Sequence, residues 1–546
     1  TNLADIKAAR LYYSNSVDGF VTDQLVGETT TVGDELNFTL DTPIEISKRG
    51  NYYMWLAYDI DDNAAAGNKV AAQFTGFTGG NDTTVVNATV CERTIKAGFK
   101  GTYTIGKSTD ADYATFAAAV AAMSVGVEGN VRFEVEDGTY AENIVLNSIP
   151  GTNANHTVTF AGKSGNRDAV VVTGSGNVGS ITVEGSDVKQ GMVFVNATPY
   201  VTFEAMSFVP ASQSYPHAVH YFNKSGNFTL RNCVVKADPI LSGYSGMNLV
   251  KGECTKANGN VNNNVTIENN LLSGGYIGVY AGAYGLVANM RETGLVVRGN
   301  TVTNAGSKGV YVMDEIGATV ENNIITQSVT QKTSYSGIDI YRNKGQFVVR
   351  NNVIVNSHNA YSNGIYLRQE SEGDANAPAR VYNNVVAITA SPTNSTAGAQ
   401  INSDCNNIEF VYNTVSVAGT NGYTFYNGGS TSKWQHMLIA NNIFQNTSTS
   451  GMGALFYSDE FMSKAVIENN AWYVASGTIV KDYAATIDAL NSHDKAQNNW
   501  VEQAEFLSET DLHLMSAGTL VNGTAISYVD TDADGKTRAQ GPTVGA

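Results

Sequence analysis

Charge is scarce in this chain, and most of it has one sign. Asp, Glu, Lys and Arg make up 15 % of the residues, and the formal net charge is −17. Nucleic-acid phosphates need a basic patch, so no nucleic acid is expected as a partner, and an anionic membrane surface is disfavoured. No apolar run approaches the roughly 18 residues of a bilayer helix, so no membrane-spanning segment is expected. No signal peptide is visible. Residue 1 falls directly in what reads as folded sequence, so the expectation is a leader already removed and a secreted or outer-surface location.

Cysteine is also rare. Cys91, Cys233, Cys254 and Cys405 show no C-x-x-C spacing, so a zinc site is not expected. Four unpaired thiols are the first reading, and a Cys233–Cys254 bridge is the alternative. The seven histidines are scattered, so a transition-metal site is unsupported. The expected metal and cofactor content is none.

Glycine (54) and asparagine are abundant, whereas proline numbers 9. Both abundant types tolerate left-handed backbone and tight turns, so the composition reads as many strands joined by sharp turns. Hydrophobic residues at 42 % over 546 positions allow a sizeable core and two or three domains.

From residue 231 onward a repeat appears, with one or two Asn before two mostly apolar residues. It reads R-N-C-V-V at 231, E-N-N-L-L at 268, R-G-N-T-V at 298, E-N-N-I-I at 321, R-N-N-V-I at 350, Y-N-N-V-V at 382, V-Y-N-T-V at 411, A-N-N-I-F at 440 and E-N-N-A-W at 468. A second marker, Gly followed by apolar alternation, recurs as G-V-Y at 278, G-V-Y-V at 309, G-I-D-I at 337, G-I-Y-L at 364 and G-Y-T-F at 422. Steps near 29 residues holding about three short strands fit one coil of a parallel β-helix, since no single repeat could bury its own apolar face. The recurring Asn is expected to take the left-handed turn and to bond to the Asn one coil away, with Asn270, Asn300, Asn323, Asn352, Asn384, Asn413, Asn442 and Asn470 stacked. Leucine-rich repeats lack their leucine pattern here, and propeller blades need longer steps.

The stretch G-T-Y-T-I-G at 101, Y-A-T-F-A-A-A-V-A-A-M at 113 and V-R-F-E-V-E-D-G-T-Y-A-E-N-I-V-L at 131 resembles the start of β-helix domains in bacterial surface proteins. The sequences D-L-H-L at 511 and D-T-D-A-D-G-K-T-R at 530 resemble their closing segment. That group includes polysaccharide lyases and adhesins, so the resemblance implies a right-handed fold and no single activity. Residues 112–124 read as an amphipathic capping helix with Asp112 as N-cap, and Tyr113, Phe116, Ala117, Val120 and Met123 on one stripe.

Residues 1–94 lack the coil repeat. Strands are expected at Ala8–Tyr13, Leu36–Leu40, Tyr52–Ile60 and Val85–Val90, giving a small β-sandwich. A-R-L-Y-Y at 9, Y-Y-M-W-L-A-Y-D-I at 52 and A-A-A-G-N-K-V at 64 are similar to the accessory N-terminal domain of bacterial sialidases. The resemblance implies an accessory role, either glycan contact or spacing. The expected fold is therefore all-β: a sandwich over 1–94, a linker over 95–110, and a parallel β-helix with capping helix and closing segment over 111–546.

In the Gly-apolar strands, Val310, Val312, Ile338, Ile340, Ile365 and Leu367 should point inward. The residues between them should form one outward column of His220, Asn248, Tyr280, Tyr311, Asp339, Tyr366, Gln400 and Thr424. A neighbouring column should hold Met313, Tyr341, Arg368, Asn402, Tyr426 and Tyr457. Aromatic faces stack on sugar rings and amides bond hydroxyls, so Tyr280, Tyr311, Tyr341, Gln400, Asn402 and Tyr426 are the candidate ligand-binding residues for a polysaccharide or glycoprotein glycan. Gln327–Ser336 and Ser391–Ala397 are candidate groove walls. The bland reading is that Tyr simply favours strands.

A hydrolase needs facing carboxylates, and Asp339 stands alone in its column. Asp314, Glu315, Glu370 and Glu372 lie further along the turns. A lyase needs a cation and a base, and Arg368, Arg342, Lys308, Tyr366 and His220 are available. Catalytic candidates are thus Tyr366, Arg368 and Asp339. The expected function is a monomeric glycan-binding or adhesive protein, with a lyase-type polysaccharide-degrading enzyme as the alternative. Asp530, Asp532 and Asp534 resemble half a calcium loop without its closing Glu, so no tight calcium site is expected there.

Overall fold

The computed structural model describes residues 2–14, 24–40, 53–61, 63–79, 82–86, 88–175, 180–183, 186–189, 191–212, 215–239, 246–255, 259–282, 290–329, 334–357, 362–389, 396–402, 404–418, 422–428, 436–449, 452–456, 459–538 and 542–546. The chain divides into two compact units, Thr1–Phe99 and Lys100–Ala546.

The second unit is a parallel β-helix of three long sheets with 14, 13 and 12 strands, called here sheets I, II and III. One coil shows the path. Thr319–Glu321 lies in sheet I, Ile324–Gln327 in sheet II and Tyr335–Tyr341 in sheet III, and the chain re-enters sheet I at Val348–Arg350. Each strand pairs in parallel with its equivalents one coil away, as Val320 does with Val297 and Val349. The inward positions predicted from alternation are all at 0–1 % exposure: Val310, Val312, Ile338, Ile340, Ile365 and Leu367. Burying each such side chain stabilises the coil by about 1.5–3 kcal/mol.

The Asn doublet divides two tasks between two residues. The first residue carries the left-handed turn, with φ of 57° at Asn269, 55° at Asn322, 54° at Asn351 and 59° at Asn441. Gly299 takes the same place at φ 63° and Tyr412 at φ 52°. The second residue forms the ladder inside. Its amide donates to the carbonyl oxygen of the next ladder Asn at 2.9–3.1 Å, unbroken from Asn270 to Asn470 and on to Asn499. The other amide proton goes to a backbone carbonyl of the preceding coil, as from Asn352 to Val320. Both donors and both acceptor sites are thereby filled, which is what a fully buried amide requires. The expected stack is present, but the left-handed residue is its neighbour. At the upper end Cys233 replaces the Asn and donates its backbone N–H to Asn270.

The recurring Gly of sheet III is there for space. A Cβ on Gly337 would stand 2.5 Å from Ile354 Cγ2, where sheets II and III converge. On the outer face of sheet I, charge is paired across coils, as in Arg298–Glu268 and Arg350–Glu321.

The capping helix is Phe116–Ala122, shorter than expected, and its N-cap is Thr115, whose hydroxyl accepts from Ala118 N. Asp112 instead accepts from the Thr104 backbone N–H and hydroxyl. Phe116 packs on Tyr140 and Phe160 of the first coil, whereas Ala117 is exposed. Phe99–Ile105, in the segment expected as a linker, lies beside Val127–Val135 at the end of sheet I. The closing segment runs along the Asn turns. Thr524 bonds Tyr412 and Asn441, Arg538 bonds Asn383, and Val529 packs among Tyr382, Val411, Tyr412 and Ala440.

In the first unit, Ile6–Ser14 pairs antiparallel with Leu25–Thr29 and Tyr53–Ile60. Two antiparallel pairs follow, Lys69–Ala72 with Cys91–Thr94 and Gly76–Gly79 with Asp82–Val85. These are small sheets. Leu36–Leu40 is irregular chain, with the Phe38 ring against Gly27 in place of ladder bonds. The strand expected over Val85–Val90 ends at Val85. All four cysteines are free, and Cys91 is exposed. Among the described residues no helix is long and apolar enough to cross a membrane.

Candidate functional site

The outward column of sheet III follows from the strand register. It runs His220, Lys251, Tyr280, Tyr311, Asp339, Tyr366, Gln400 and Tyr426, one residue per coil. Two expected members are misplaced. Lys251 holds the place given to Asn248, because His220 pairs with Lys251 and Asn248 with His217. Tyr426 holds the place given to Thr424, because Gln400 pairs with Tyr426. The Gly422 marker caused the second error, since it aligns with Thr396 and not with Gly398. The neighbouring column keeps Met313, Tyr341 and Arg368 in register, with Asn402 following. Tyr457 lies outside the described residues, as do parts of both candidate groove walls.

Asp339 is the pivot of this surface. It is fully buried, and it receives Arg368 in a bidentate fork at 2.9 Å on each oxygen and Lys308 at 2.9 Å. Two cations on one carboxylate leave one net positive charge fixed on the sheet. The Arg368 guanidinium lies 4.6 Å from the Tyr341 ring centre, 5.2 Å from Tyr366 and 5.8 Å from Tyr311. Burial works against its charge, but the Asp339 fork outweighs that and raises its pKa above the ordinary arginine value. Asp339 has no exposed oxygen for a sugar hydroxyl. Its role is to hold the two cations.

The aromatic members are partly covered. Tyr280 and Tyr311 pack at 4.9 Å between ring centres, and Tyr311 is 9 % exposed. Burial first, then the Asp339 charge, push the Tyr311 hydroxyl well up, so it stays protonated. Tyr280, Tyr341, Tyr366, Arg368, Asn402 and Tyr426 retain partial exposure, whereas Gln400 is buried and donates to Asn402 at 3.2 Å. Asn402 in turn donates to the Tyr366 hydroxyl at 3.4 Å. The structure therefore brings Tyr366, Arg368 and Asp339 together and places Tyr280 and Tyr426 at the two ends.

The other carboxylates are committed elsewhere. Asp314 takes Arg342 bidentately, and Glu372 takes Lys344. Glu315 is buried beside Glu292 on the adjacent coil. In the closing segment Asp534 bonds His513 and Lys536.

Two groups escaped the sequence reading. Lys251 lies 3.0 Å from the Tyr280 ring centre, and burial pulls its pKa down to about 8. Its signal was the 31-residue step from His220 to Lys251, visible only once the register is known. The second is a cluster of His217, His220 and Glu253, whose ligand atoms all lie within 4.8 Å of one another.

A family model described as "Right handed beta helix region" matches residues 169–386. No curated protein matches. Among solved structures, this chain is similar to XylC with xylose, at TM-score 0.44 and 11 % identity over 82 % of this chain and 98 % of that one. It is similar to pectate lyase Pel9A at TM-score 0.40 and 13 % identity, over 82 % and 96 %. It is also similar to the Streptococcus pneumoniae surface protein and adhesin PfbA at TM-score 0.35 and 16 % identity, over 66 % and 94 %.

Proposed function

We infer that the outward face of sheet III, from Tyr280 to Tyr426, binds an extended acidic glycan at a cell surface or in secreted form. The observation that carries this is the Arg368–Lys308–Asp339 cluster. It is a single net positive charge, pinned by a buried carboxylate and framed by three tyrosines, on a chain of net charge −17. Its fixed geometry lowers the ordering cost of binding, and Arg368 keeps guanidinium protons beyond the two that Asp339 takes. Tyrosine rings supply stacking faces on both sides, and Asn402 supplies an amide for hydroxyls. Coils about 4.8 Å apart give a regular surface several sugar units long.

The test is binding of uronate-containing and neutral oligosaccharides by calorimetry. Tyr366→Ala and Arg368→Gln are each expected to weaken the acidic ligand by about 1–3 kcal/mol with the coil intact. Unchanged affinity in both would reduce the face to a solvated sheet.

One observation favours a second reading, in which the same face is a lyase. Lys251 is an amine whose pKa falls to about 8 through burial, in the same column as the tyrosines. A lyase would use such a group as its base in preference to Tyr366. Release of unsaturated uronate by the parent, lost in Lys251→Met, would establish it, and absence of any product leaves the binding reading. The N-terminal unit is proposed as an accessory module.

A further inference from the structure

The strand His217–Phe222 places two imidazoles three residues apart, and the next coil sets Glu253 beside them, opposite Phe222. The three side chains bring one ligand atom each within 4.8 Å of the others, and His220 Nε2 lies 3.9 Å from Glu253 Oε2. Neighbouring donors around a tetrahedral ion with 2.0–2.2 Å bonds lie about 3.3 Å apart. A small rotamer adjustment therefore closes the set.

His220 supplies the independent reason to expect a ligand. It is 1 % exposed, and neither ring nitrogen has a hydrogen-bond partner. Its ring is held in place by Phe194, Phe222 and His217 at 4.7–5.5 Å between ring centres. A buried imidazole with both nitrogens unsatisfied is costly unless something occupies the site. A ligating histidine also needs its second N–H held by an acceptor. The Asn248 amide lies 3.2 Å from His217 Nδ1 with its nitrogen towards the ring, and turning that amide over brings the buried, unpartnered Asn248 Oδ1 there to accept from Nδ1–H.

We propose that His217, His220 and Glu253 form a binding site for a divalent transition-metal ion of the zinc class, with a fourth position left for water. Two imidazoles and a carboxylate suit zinc, and three protein ligands are the pattern of an open rather than a closed zinc site. Calcium, which takes six to eight oxygens, is excluded by the same donor set. Lys251 is the rival cation at 3.8 Å from Glu253, but its ammonium already has the Tyr280 ring as a partner. The site goes beyond the glycan reading and does not depend on it.

The experiment uses the full chain, stripped with a chelator and titrated with Zn²⁺, Co²⁺ and Ca²⁺ by calorimetry, with cobalt absorption reporting the coordination geometry. One equivalent of Zn²⁺ is expected, with a tetrahedral cobalt spectrum and no calcium competition. His217→Asn and Glu253→Gln are each expected to weaken zinc at least tenfold. Both positions are partly exposed, so these variants avoid the fully buried His220, and their metal-free melting temperatures check the fold. Zinc should raise the melting temperature of the parent and not of either variant. His513→Gln, which removes the histidine bonded to Asp511 and Asp534, should leave binding unchanged. Failure of the parent to bind one equivalent, binding that survives both variants, or binding lost in His513→Gln would each overturn the proposal.

Discussion

Replacing Asn352 by Leu removes four hydrogen bonds at one point of the ladder. The Asn352 amide donates to Asn384 Oδ1 and to the Val320 carbonyl, each at 2.9 Å. Its oxygen accepts from the Asn323 backbone N–H at 3.0 Å and the Asn323 amide at 2.9 Å. With Leu in place, three groups in a dry interior lose their partners: the Asn323 N–H, one Asn323 amide proton and the Val320 carbonyl. Asn384 Oδ1 keeps the backbone N–H of residue 352 at 3.1 Å. Each orphaned group costs about 1–3 kcal/mol, and the added apolar burial returns about 1–2 kcal/mol. The net expected loss is about 1–8 kcal/mol, with the middle of that range near 4. Asn351→Gly is the matched control. Asn351 has φ 54°, a conformation glycine adopts without strain, so a change within about 1 kcal/mol is expected. Stacked coils open locally, so native-state hydrogen exchange at Asn323 should be read beside urea denaturation. If Asn352→Leu stays within about 1 kcal/mol of the parent, or Asn351→Gly loses as much, the division of labour within the doublet is wrong.

Three further outcomes follow from buried polar groups. Burial pushes Glu292 up to about 7, against hydrogen bonds from Asn262 and the charge of Lys251, with Glu315 facing it from the adjacent coil. A raised folded-state pKa means the folded chain holds the extra proton, so the Glu292 contribution to stability falls as pH rises from about 4.5 to 7. Glu315, also pushed well up by burial and by the Glu292 charge, extends the fall to higher pH. Glu292→Gln should therefore raise the melting temperature at pH 8 and change it little at pH 4.5, an effect of up to roughly 3 kcal/mol. Asp339→Asn leaves Arg368 and Lys308 without a counter-charge, and a loss of about 3–5 kcal/mol by denaturant titration is expected. Tyr412→Phe removes the hydroxyl bond to the Thr524 carbonyl, with about 0.5–1.5 kcal/mol lost and faster exchange confined to the closing segment.

The coil architecture was legible because it repeats. Asn doublets spaced by one coil and alternating apolar residues are local signals, and many copies average out single exceptions such as Gly299 or Tyr412. The outward columns were read less well because spacing alone does not fix register. Thr424 stands two residues from Tyr426, a shift that leaves the alternation intact, and Asn248 stands three residues from Lys251 in a strand without the Gly marker, so only strand pairing places Tyr426 and Lys251 in the column. The pairing of Asp339 with Arg368 and Lys308 was not legible, since side-chain reach across coils is absent from spacing. The same is true of His217, His220 and Glu253, which look scattered in sequence and meet only because one strand carries both imidazoles and the next coil returns the carboxylate. The Leu36–Leu40 run shows the opposite limit, where alternating apolar residues outside a repeat find packing without a strand.

The acidic-glycan reading of sheet III is tested most directly by one pair of ligands: a uronate oligosaccharide and the same oligosaccharide with its carboxyl groups reduced to alcohols. The sugar rings and ring hydroxyls are the same in both, and each carboxylate becomes a neutral CH2OH, so the difference in affinity reports the charge that Arg368 and Lys308 present. The parent should bind the acidic form about tenfold or more tightly, with the preference shrinking as salt rises and vanishing in Arg368→Gln. Equal affinity for the two forms, or a preference that persists in Arg368→Gln, would contradict the assignment of this cluster as the recognition centre.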